Sequence, residues 1–509
     1  MQHILCGLAA NPSLSSELVD RLISVADDDI ATELACRTDL GTAQAVALGE
    51  RSTGSTALLA YEGRLTATDI DPSVWPAAAL ALLDQGVGSP EWARLLAEDP
   101  DRERREKLAA CPGLPSDVVD TLAADPDVHV VAELALWTTS DTAERLAAHP
   151  HAEVRRAVAC NEATPPAVLA ALVTGEGLPA ARLCPVCDGE ETSFVREPQL
   201  PRFDGDPPAP GASCDGAHES TVHGMREAAL RNPATPIEVG LGFVDHSSWL
   251  FREALATRHD LPPQARAQLA ADPAPAVRVA LAGNPAIDDA SMRALAADLD
   301  PQVRRRLAEH PRVPLDVLIH LARTARIGAT LLPRVAASSP AEVEELATSP
   351  DPAARMLVAQ RRDLPAGIRD RLAGDRDAKV VKAIAPHPGL TEAQLHAMVD
   401  RHGSRVLTQV AANPDASPAL LEELVRNESA PAQVFREVAR HPGATASALL
   451  VCSAHERARP VAAAHPALPP PVIVELLADE DWRVVEAAAA NPSLPSAVMR
   501  DLVNRACAP

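Results

Sequence analysis

Apolar residues fall at helical spacing through most of the chain, in short blocks that turn residues interrupt. In one such block, the Ala-rich segment 482–490 is strongly helix-prone. Asn491 followed by Pro492 ends this helix, because proline removes a backbone donor and pushes the residue before it out of the helical region. The block therefore predicts a short helix that stops at an Asn-Pro turn.

A second helix is predicted directly after this turn. Leu494-Pro495 opens it, with proline at the first helical position. In other copies of the block a threonine precedes that proline, as at Thr164 and Thr235, and its hydroxyl is expected to cap the helix. Three apolar residues then follow at helical spacing and form the predicted buried stripe: Val498, Met499 and Leu502.

The turn recurs along the chain and acts as the anchor of a repeat. Clear copies stand at Asn11, Asn232, Asn284, His310, His387, Asn413, His441, His465 and Asn491. Degenerate copies stand at Arg37, Cys111, Trp137, Asn161, Arg258, Ala336 and Arg361. From Asn232 onward the steps between anchors are 26, 26, 26, 26, 25, 26, 26, 28, 24 and 26 residues. Such a period predicts an all-α, right-handed α-solenoid of two-helix repeats of about 26 residues, in which each repeat buries its apolar face on its neighbours.

Two charged positions keep the same register as the anchor. Arginine stands six residues before it at Arg105, Arg155, Arg226, Arg252, Arg278, Arg304, Arg355 and Arg459. Aspartate stands twelve residues before it at Asp99, Asp125, Asp272, Asp298, Asp375 and Asp479. We expect a structural ladder that satisfies turn carbonyls and carboxylates between repeats; a row of arginines that binds anions is the alternative. The anchor histidines replace asparagine, so we expect them to bond to the turn backbone rather than to act in catalysis.

The spacing divides the chain into three predicted regions. Asn161 and Asn232 are 71 residues apart, so one irregular insert interrupts the array. In the weakest part, 42–100, the candidate anchors near Gly63 and Val87 are poor. The predicted regions are N-terminal repeats at 1–173, an insert at 174–222 and a regular array at 223–509.

The insert carries a candidate metal site. Cys184 and Cys187 form a CxxC knuckle, and Cys214 and His218 supply two further ligands, a set that matches a closed tetrahedral zinc site. His223 is the alternative fourth ligand. A disordered insert that binds no metal is an alternative hypothesis, because seven Pro and six Gly between 174 and 222 are typical of a disordered loop. A redox CxxC is also open but lacks the strand–helix context of thioredoxin-like proteins.

Composition and charge narrow the function classes. Aromatic residues make up only 2% of the chain and no Gly-rich phosphate loop occurs, which disfavours an enzyme with a catalytic pocket. The net charge of −23 opposes nucleic-acid binding and favours a basic partner. No apolar run is long enough to span a membrane, and the N-terminal residues lack the pattern of a signal peptide. We therefore expect a cytoplasmic protein with reduced thiols.

The repeats resemble the leucine-rich repeat variant family, whose x-V-R-x-A-x-A-x-N-P-x-x-P pattern is matched from Val277 to Asp288 and from Val154 to Pro165. Aspartate and arginine six residues apart also resemble the ladder of HEAT repeats. Some members of the variant family carry an iron–sulfur module at the N-terminus, so the resemblance adds an iron–sulfur cluster as an alternative to zinc. The chain departs from the family in its repeat length, nearer 26 than 24, and in the central position of its cysteine cluster.

The leading functional hypothesis is a non-enzymatic scaffold that holds a protein partner, with the metal insert as a rim element. One alternative is a metal or redox sensor in which loss of the metal alters binding. Another is a HEAT-like protein that acts on nucleic acid, which requires a basic groove lined with aromatic residues. The sequence leaves the partner and the oligomeric state undetermined.

Overall fold

The structure is a computed structural model that describes residues 1–179, 181–184, 219–325, 327 and 330–507, with the backbone alone at 219–222. The described residues are helical, and their only β-type pairing is a single parallel bridge between His151 and Leu183. They divide into two compact units: unit 1 comprises Met1–Asp69 and Gly328–Pro509, and unit 2 comprises Ile70–Ile327. None of the described helices has the length and apolar character needed to cross a membrane.

Unit 2 alternates between an A helix, which leads to an anchor, and a B helix, which follows it. Its A helices are Pro76–Asp84, Arg102–Ala109, Val128–Trp137, Ala152–Cys160, Glu219–Arg231, Trp249–Ala256, Pro275–Ala282 and Pro301–Ala308. Its B helices are Pro90–Ala97, Ser116–Ala123, Ser140–Leu146, Pro166–Thr174, Ile237–Gly240 with the 3₁₀ turn Leu241–Phe243, Pro263–Ala270, Asp289–Ala296 and Leu315–Thr324.

Unit 1 has the same alternation. Its A helices are Gln2–Ala10, Asp28–Ala35, Thr56–Tyr61 after the 3₁₀ turn Thr53–Ser55, Pro333–Ala336, Pro352–Val358, Ala378–Ile384, Leu407–Ala411 after the 3₁₀ turn Gly403–Arg405, Ala432–Arg440, Arg459–Ala463 and Trp482–Ala489. Its B helices are Ser16–Val25, Thr42–Arg51, Pro340–Thr348, Ala366–Ala373, Glu392–His402, Pro418–Arg426, Ala446–Ser453, Pro470–Leu476 and Ser496–Ala506. The predicted all-α solenoid of two-helix repeats is confirmed.

Aspartates start many of the A helices. The carboxylate of Asp300 accepts the backbone N–H of Gln302 at 2.7 Å, and that of Asp481 accepts the N–H of Arg483 at 3.0 Å. A side-chain acceptor at this position satisfies one of the orphan donors of the first turn. The Asp-x-Asp turns between repeats are therefore both helix stops and helix starts.

The core of each unit is built from Leu, Val and Ala at helical spacing. In the last repeat Met499 and Leu502 are buried as predicted, but Val498 is only half-buried and Val503 takes its place in the core. The helix begins at Ser496 and Pro495 is its N-cap residue, so the prediction that this proline is the first helical residue is wrong by one position. The predicted helices over 482–490 and after Pro495 are otherwise as observed.

The two threonines expected to cap B helices do not do so. The hydroxyl of Thr164 donates to the carbonyl of Val158 at 2.6 Å, and Thr235 bonds in the same way to Ala229. Pro165 occupies the capping position, so Thr164 stands one residue earlier and faces back to the preceding A helix. The prediction of a threonine cap is wrong for this reason.

Within unit 1 the first repeat of the sequence stacks on the last. Asn11 donates from Nδ2 to the carbonyl oxygens of Ala489 and Asn491, both at 2.8 Å. Arg37, the next anchor, in turn donates to the carbonyl oxygens of Ala9 and Asn11 at 2.8 Å. The row of anchors therefore continues from the C-terminal repeats of unit 1 into its N-terminal repeats.

Candidate functional site

The described root of the insert is a short paired segment. Ala152 donates its backbone N–H to the carbonyl of Leu183 at 2.9 Å, and Arg182 donates to the carbonyl of Pro150 at 2.8 Å. The guanidinium of Arg155 holds the same root, because its Nη1 donates to the carbonyl of Pro179 at 2.6 Å. These contacts fix the backbone that leads into the predicted knuckle.

Cys184 is the predicted metal ligand that the structure describes. Its side chain is fully buried and packs with Ala152 and Ala181. Cys187, Cys214 and His218 lie outside the described residues. Within the described ranges, no group of three or more His, Cys, Asp or Glu side chains is placed to hold a metal ion. The four-ligand site thus stays a prediction.

His223, the alternative fourth ligand, belongs to an aromatic cluster. It is buried, its Nε2 shares a hydrogen bond with Ser248 Oγ at 2.7 Å, and its ring stacks on Phe251 with centroids 3.9 Å apart. Desolvation by burial lowers its pKa, and the charges of His246 and Arg226 lower it further against the opposing effect of Glu227. Of the two ring nitrogens of His223, Nε2 is already engaged in the hydrogen bond with Ser248. The helix that carries His223 begins at Glu219, four residues before the predicted start.

Buried anchors join each repeat to the one before it. Asn413 is fully buried, and its Nδ2 donates to the carbonyl oxygens of Ala385 at 2.5 Å and His387 at 2.7 Å. Its Oδ1 accepts the backbone N–H of Asp415 at 2.9 Å. Asn232, Asn284 and Asn491 make the same set of bonds. Asn161 differs in one acceptor, because its Nδ2 donates to the carbonyls of Ala135 and Thr138 instead of reaching that of the anchor Trp137.

Anchor histidines substitute for asparagine with the same geometry. In His441, Nδ1 accepts the backbone N–H of Gly443 at 3.0 Å and Nε2 lies 2.8 Å from the carbonyl oxygen of Asn413. An Nδ1 that accepts and an Nε2 that faces a carbonyl require the neutral Nε2–H tautomer. The prediction that these histidines bond to turn backbone is confirmed.

Burial keeps several anchor histidines neutral. Desolvation lowers the pKa of His387 to about 4, although its bond to the carbonyl of Ala359 works in the opposite direction. Desolvation also lowers the pKa of His310 and His465. His310 and His465 are bonded to backbone at both ring nitrogens, so these neutral, buried imidazoles have a structural role and no free lone pair for a ligand.

The arginine–aspartate register forms a ladder between repeats. Arg278 donates from Nη1 to the carbonyl of Asp272, six residues before it, at 2.6 Å. Its Nε and Nη2 bind the carboxylate of Asp298 in the next repeat at 2.6 and 3.0 Å. The same 20-residue pairing joins Arg105 to Asp125, Arg252 to Asp272, Arg355 to Asp375 and Arg459 to Asp479. The expected structural ladder is confirmed, with the carboxylate supplied by the following repeat.

The ladder changes where the insert interrupts the array. His149 and His246 occupy the position, twelve residues before an anchor, where aspartate stands elsewhere. The residue 20 positions after Arg226, where the other ladder arginines have an aspartate, is His246. The buried Nε of Arg226 has no hydrogen-bond partner. The register could have identified both histidines, because they are the positions at which the aspartate pattern fails. The insert root is therefore an irregular rung of unit 2, as is that of Arg304, which has Thr324 in place of an aspartate and a buried Nε without a hydrogen-bond partner.

An open groove of about 670 Å³ lies on unit 2 across three consecutive A helices, Trp249–Ala256, Pro275–Ala282 and Pro301–Ala308. Val279, Ala280 and Gly283 are among its lining residues, and the side chain of Arg306 lies so close to Gly283 that a Cβ there would collide with it. Carboxylates also line it, those of Glu253 and Asp300. This groove could not be predicted from the sequence, because its lining comes from three repeats and consists largely of small residues that are common throughout the chain.

Comparison with known proteins adds little beyond the fold. No protein-family model and no curated protein matches the chain. Among solved structures, importin beta aligns over 97% of this chain and 76% of its own, at 12% identity and a TM-score of 0.25. A chain of the Pds5–Scc1 complex aligns over 96% and 88%, at 13% identity and a TM-score of 0.21. Similarity at this level carries no inference about function. The described helices show an α-solenoid of two-helix repeats, and membership of the leucine-rich repeat variant family is not shown.

Proposed function

We propose that the chain is a non-enzymatic scaffold that binds a protein partner, and that the groove of unit 2 receives an apolar side chain of that partner next to a basic one. The observation that carries the proposal is the composition of the groove. Val279 and Ala280 offer a partly exposed apolar surface, and Glu253 and Asp300 add carboxylates to the same lining. A concave apolar surface with a few charged groups is the usual form of a peptide-binding site.

The charge of the whole chain supports a basic partner. A net charge of −23 attracts a cationic segment and speeds its encounter at low salt. Among the described residues, five arginines bind the carboxylates of the ladder and are part of the frame: Arg105, Arg252, Arg278, Arg355 and Arg459. In the groove, Glu253 pairs with Arg231 and Asp300 accepts the N–H of Gln302, and both carboxylates keep a partly exposed edge toward a cationic side chain.

The groove can be tested with a panel of fluorescent peptides that place one Leu or Phe beside Arg or Lys. Ala280→Arg fills the groove and adds a like charge, so we expect at least a tenfold loss of affinity for the tightest peptide, which corresponds to about 1.4 kcal/mol. Gln264→Arg is the control, because it adds the same charge at an exposed position of a B helix outside the groove. Equal weakening by both variants, or no peptide that binds the parent protein, would refute the proposal.

A structural zinc in the insert is the second part of the proposal, with Cys184, Cys187, Cys214 and His218 as ligands. Its support is the chemistry of the donor set and the buried, backbone-fixed position of Cys184. Zinc there would order the knuckle at the edge of unit 2, and thiolate ligands fit a reducing, cytoplasmic location. Membership of the leucine-rich repeat variant family would instead favour an iron–sulfur cluster.

Metal analysis distinguishes these possibilities. We expect about one zinc per chain in anaerobically purified protein, without visible absorbance, and its loss in Cys184→Ser. The matched control is Cys452→Ser, which alters a cysteine that is also fully buried but belongs to unit 1, whereas Cys184 belongs to unit 2. Visible absorbance would identify a cluster in place of zinc, and no bound metal would remove this part of the proposal.

A further inference from the structure

The contact between the first and last repeats of unit 1 repeats the bonds of an ordinary repeat interface. Asn491 donates to the carbonyl oxygens of Ala463 and His465 at 2.7 and 2.9 Å. Asn11 donates to the equivalent carbonyls of Ala489 and Asn491, both at 2.8 Å. The geometry of the junction is therefore that of two successive repeats, although the two segments are at opposite ends of the sequence.

The serines two residues after Asn11 and Asn491 also make equivalent hydrogen bonds at the two interfaces. Ser13 Oγ donates to the carbonyl oxygen of Pro492 at 2.9 Å, as Ser493 Oγ donates to that of Pro466 at 2.7 Å. Cys507 adds a contact of 3.6 Å from its Sγ to the carbonyl oxygen of Arg21. Both helices of the first repeat thus contact the last.

Packing at the junction is close and specific. A Cβ at Gly7 would lie only 2.7 Å from the Cβ of Ala489 and would also collide with the backbone oxygen of Glu486. Leu8, one residue further along the same helix, is fully buried. His3 stacks on Trp482 at the rim, with ring centroids 4.9 Å apart. The two faces fit each other in shape as well as in hydrogen bonds.

Within unit 1, repeats that follow each other in the sequence, such as those of Asn413 and His441, are also joined by a short covalent turn, whereas this interface joins residues 2–25 to residues 482–506 through non-covalent contacts. We propose that these two faces form a self-recognition site, through which residues 2–25 of one copy dock onto residues 482–506 of a second copy. In the intact chain the intramolecular contact competes with this exchange, because the tethered partner has the higher effective concentration. Exchange of an identical element between copies needs no new contacts.

The test uses two full-length variants that each break one face. Gly7→Arg blocks the first-repeat face, and Ala489→Arg blocks the last-repeat face. Mixed together, they leave one intact face of each kind on different chains. We expect a one-to-one complex with twice the sedimenting mass of either variant alone. Gly367→Arg is the control, since this helical glycine of unit 1 has open space around its missing Cβ.

The result that would overturn the inference is the absence of a complex when both variants retain native helicity by circular dichroism. A complex formed equally by Gly367→Arg with Ala489→Arg would overturn it too, because the Gly367→Arg chain keeps its own junction. If Ala489→Arg loses helicity, Trp482→Glu combined with Glu486→Arg replaces it, since both side chains are on the junction face and are more than a third exposed. The same doubling of mass is then the expected outcome.

Discussion

Replacement of the anchor Asn413 by alanine tests how much one anchor contributes to the stack. Its side chain is fully buried and makes three hydrogen bonds: to the carbonyls of Ala385 and His387 in the preceding repeat, and from the N–H of Asp415. Alanine removes the partner of all three groups: the carbonyls of the buried residues Ala385 and His387 and the N–H of Asp415.

The cost follows from the number of bonds. Each intramolecular hydrogen bond contributes about 1 kcal/mol net, so Asn413→Ala is expected to lower the free energy of local unfolding by about 3 kcal/mol. Asn413→His keeps an acceptor for the turn and a donor for the preceding carbonyl, as His441 does naturally. We expect that variant to lose less than about 1.5 kcal/mol, since one of the three bonds disappears.

Hydrogen exchange with mass spectrometry measures this locally, which matters because repeat arrays need not unfold in one step. In Asn413→Ala, amides of the helices Leu407–Ala411 and Ala378–Ile384 should exchange roughly 100-fold faster, the equivalent of about 3 kcal/mol. Asn427→Ala is the control, because Asn427 is exposed. The reasoning is refuted if the amides of these helices exchange at the same rate in Asn413→Ala and Asn427→Ala. It is also refuted if they exchange as fast in Asn413→His as in Asn413→Ala.

Two further predictions concern the ladder and the anchor histidines. A double-mutant cycle on Arg278→Met and Asp298→Asn should give a coupling of about 1–3 kcal/mol, because the pair is largely buried. The exposed Arg293–Asp316 pair should give a much smaller coupling, and equal couplings would contradict the ladder. Desolvation lowers the pKa of His387 to about 4, against about 6.5 in the unfolded chain, so between these values only the unfolded state takes up the proton and stability is lost as the pH falls. His387 should contribute a loss of up to about 3 kcal/mol from pH 7 to pH 4. His387→Asn should remove that share in urea titrations at each pH, while the loss due to His310 and His465 remains.

The repeat architecture was readable from the sequence because its signals are local. An Asn-Pro or His-Pro pair stops a helix wherever it stands, so the anchors from Asn232 to Asn491 mark the helix ends almost to the residue. The arginine and aspartate registers were visible for the same reason. What the register did not give is the partner, since Arg278 pairs with Asp298 of the next repeat and bonds only the carbonyl of Asp272 in its own.

Features that depend on the position of neighbouring backbone could not be predicted from the sequence. The hydroxyl of Thr164 bonds to the carbonyl of Val158 in the preceding helix, because Pro165 occupies the capping position of the following one. The docking of Asn11 on Asn491 involves residues at opposite ends of the chain, and no local pattern links them. The predicted metal site falls mostly outside the described residues, so of its ligands only Cys184 has a described environment.

The central claim is that each anchor side chain stabilises the repeat packed before it, whether or not the chain connects the two directly. Asn11→Ala tests it best, because the carbonyls that lose their donor belong to Ala489 and Asn491. Hydrogen exchange should accelerate about tenfold or more in the helices Trp482–Ala489 and Ser496–Ala506, and stay unchanged in Ala152–Cys160 of unit 2. Acceleration confined to the residues around position 11 would contradict the claim.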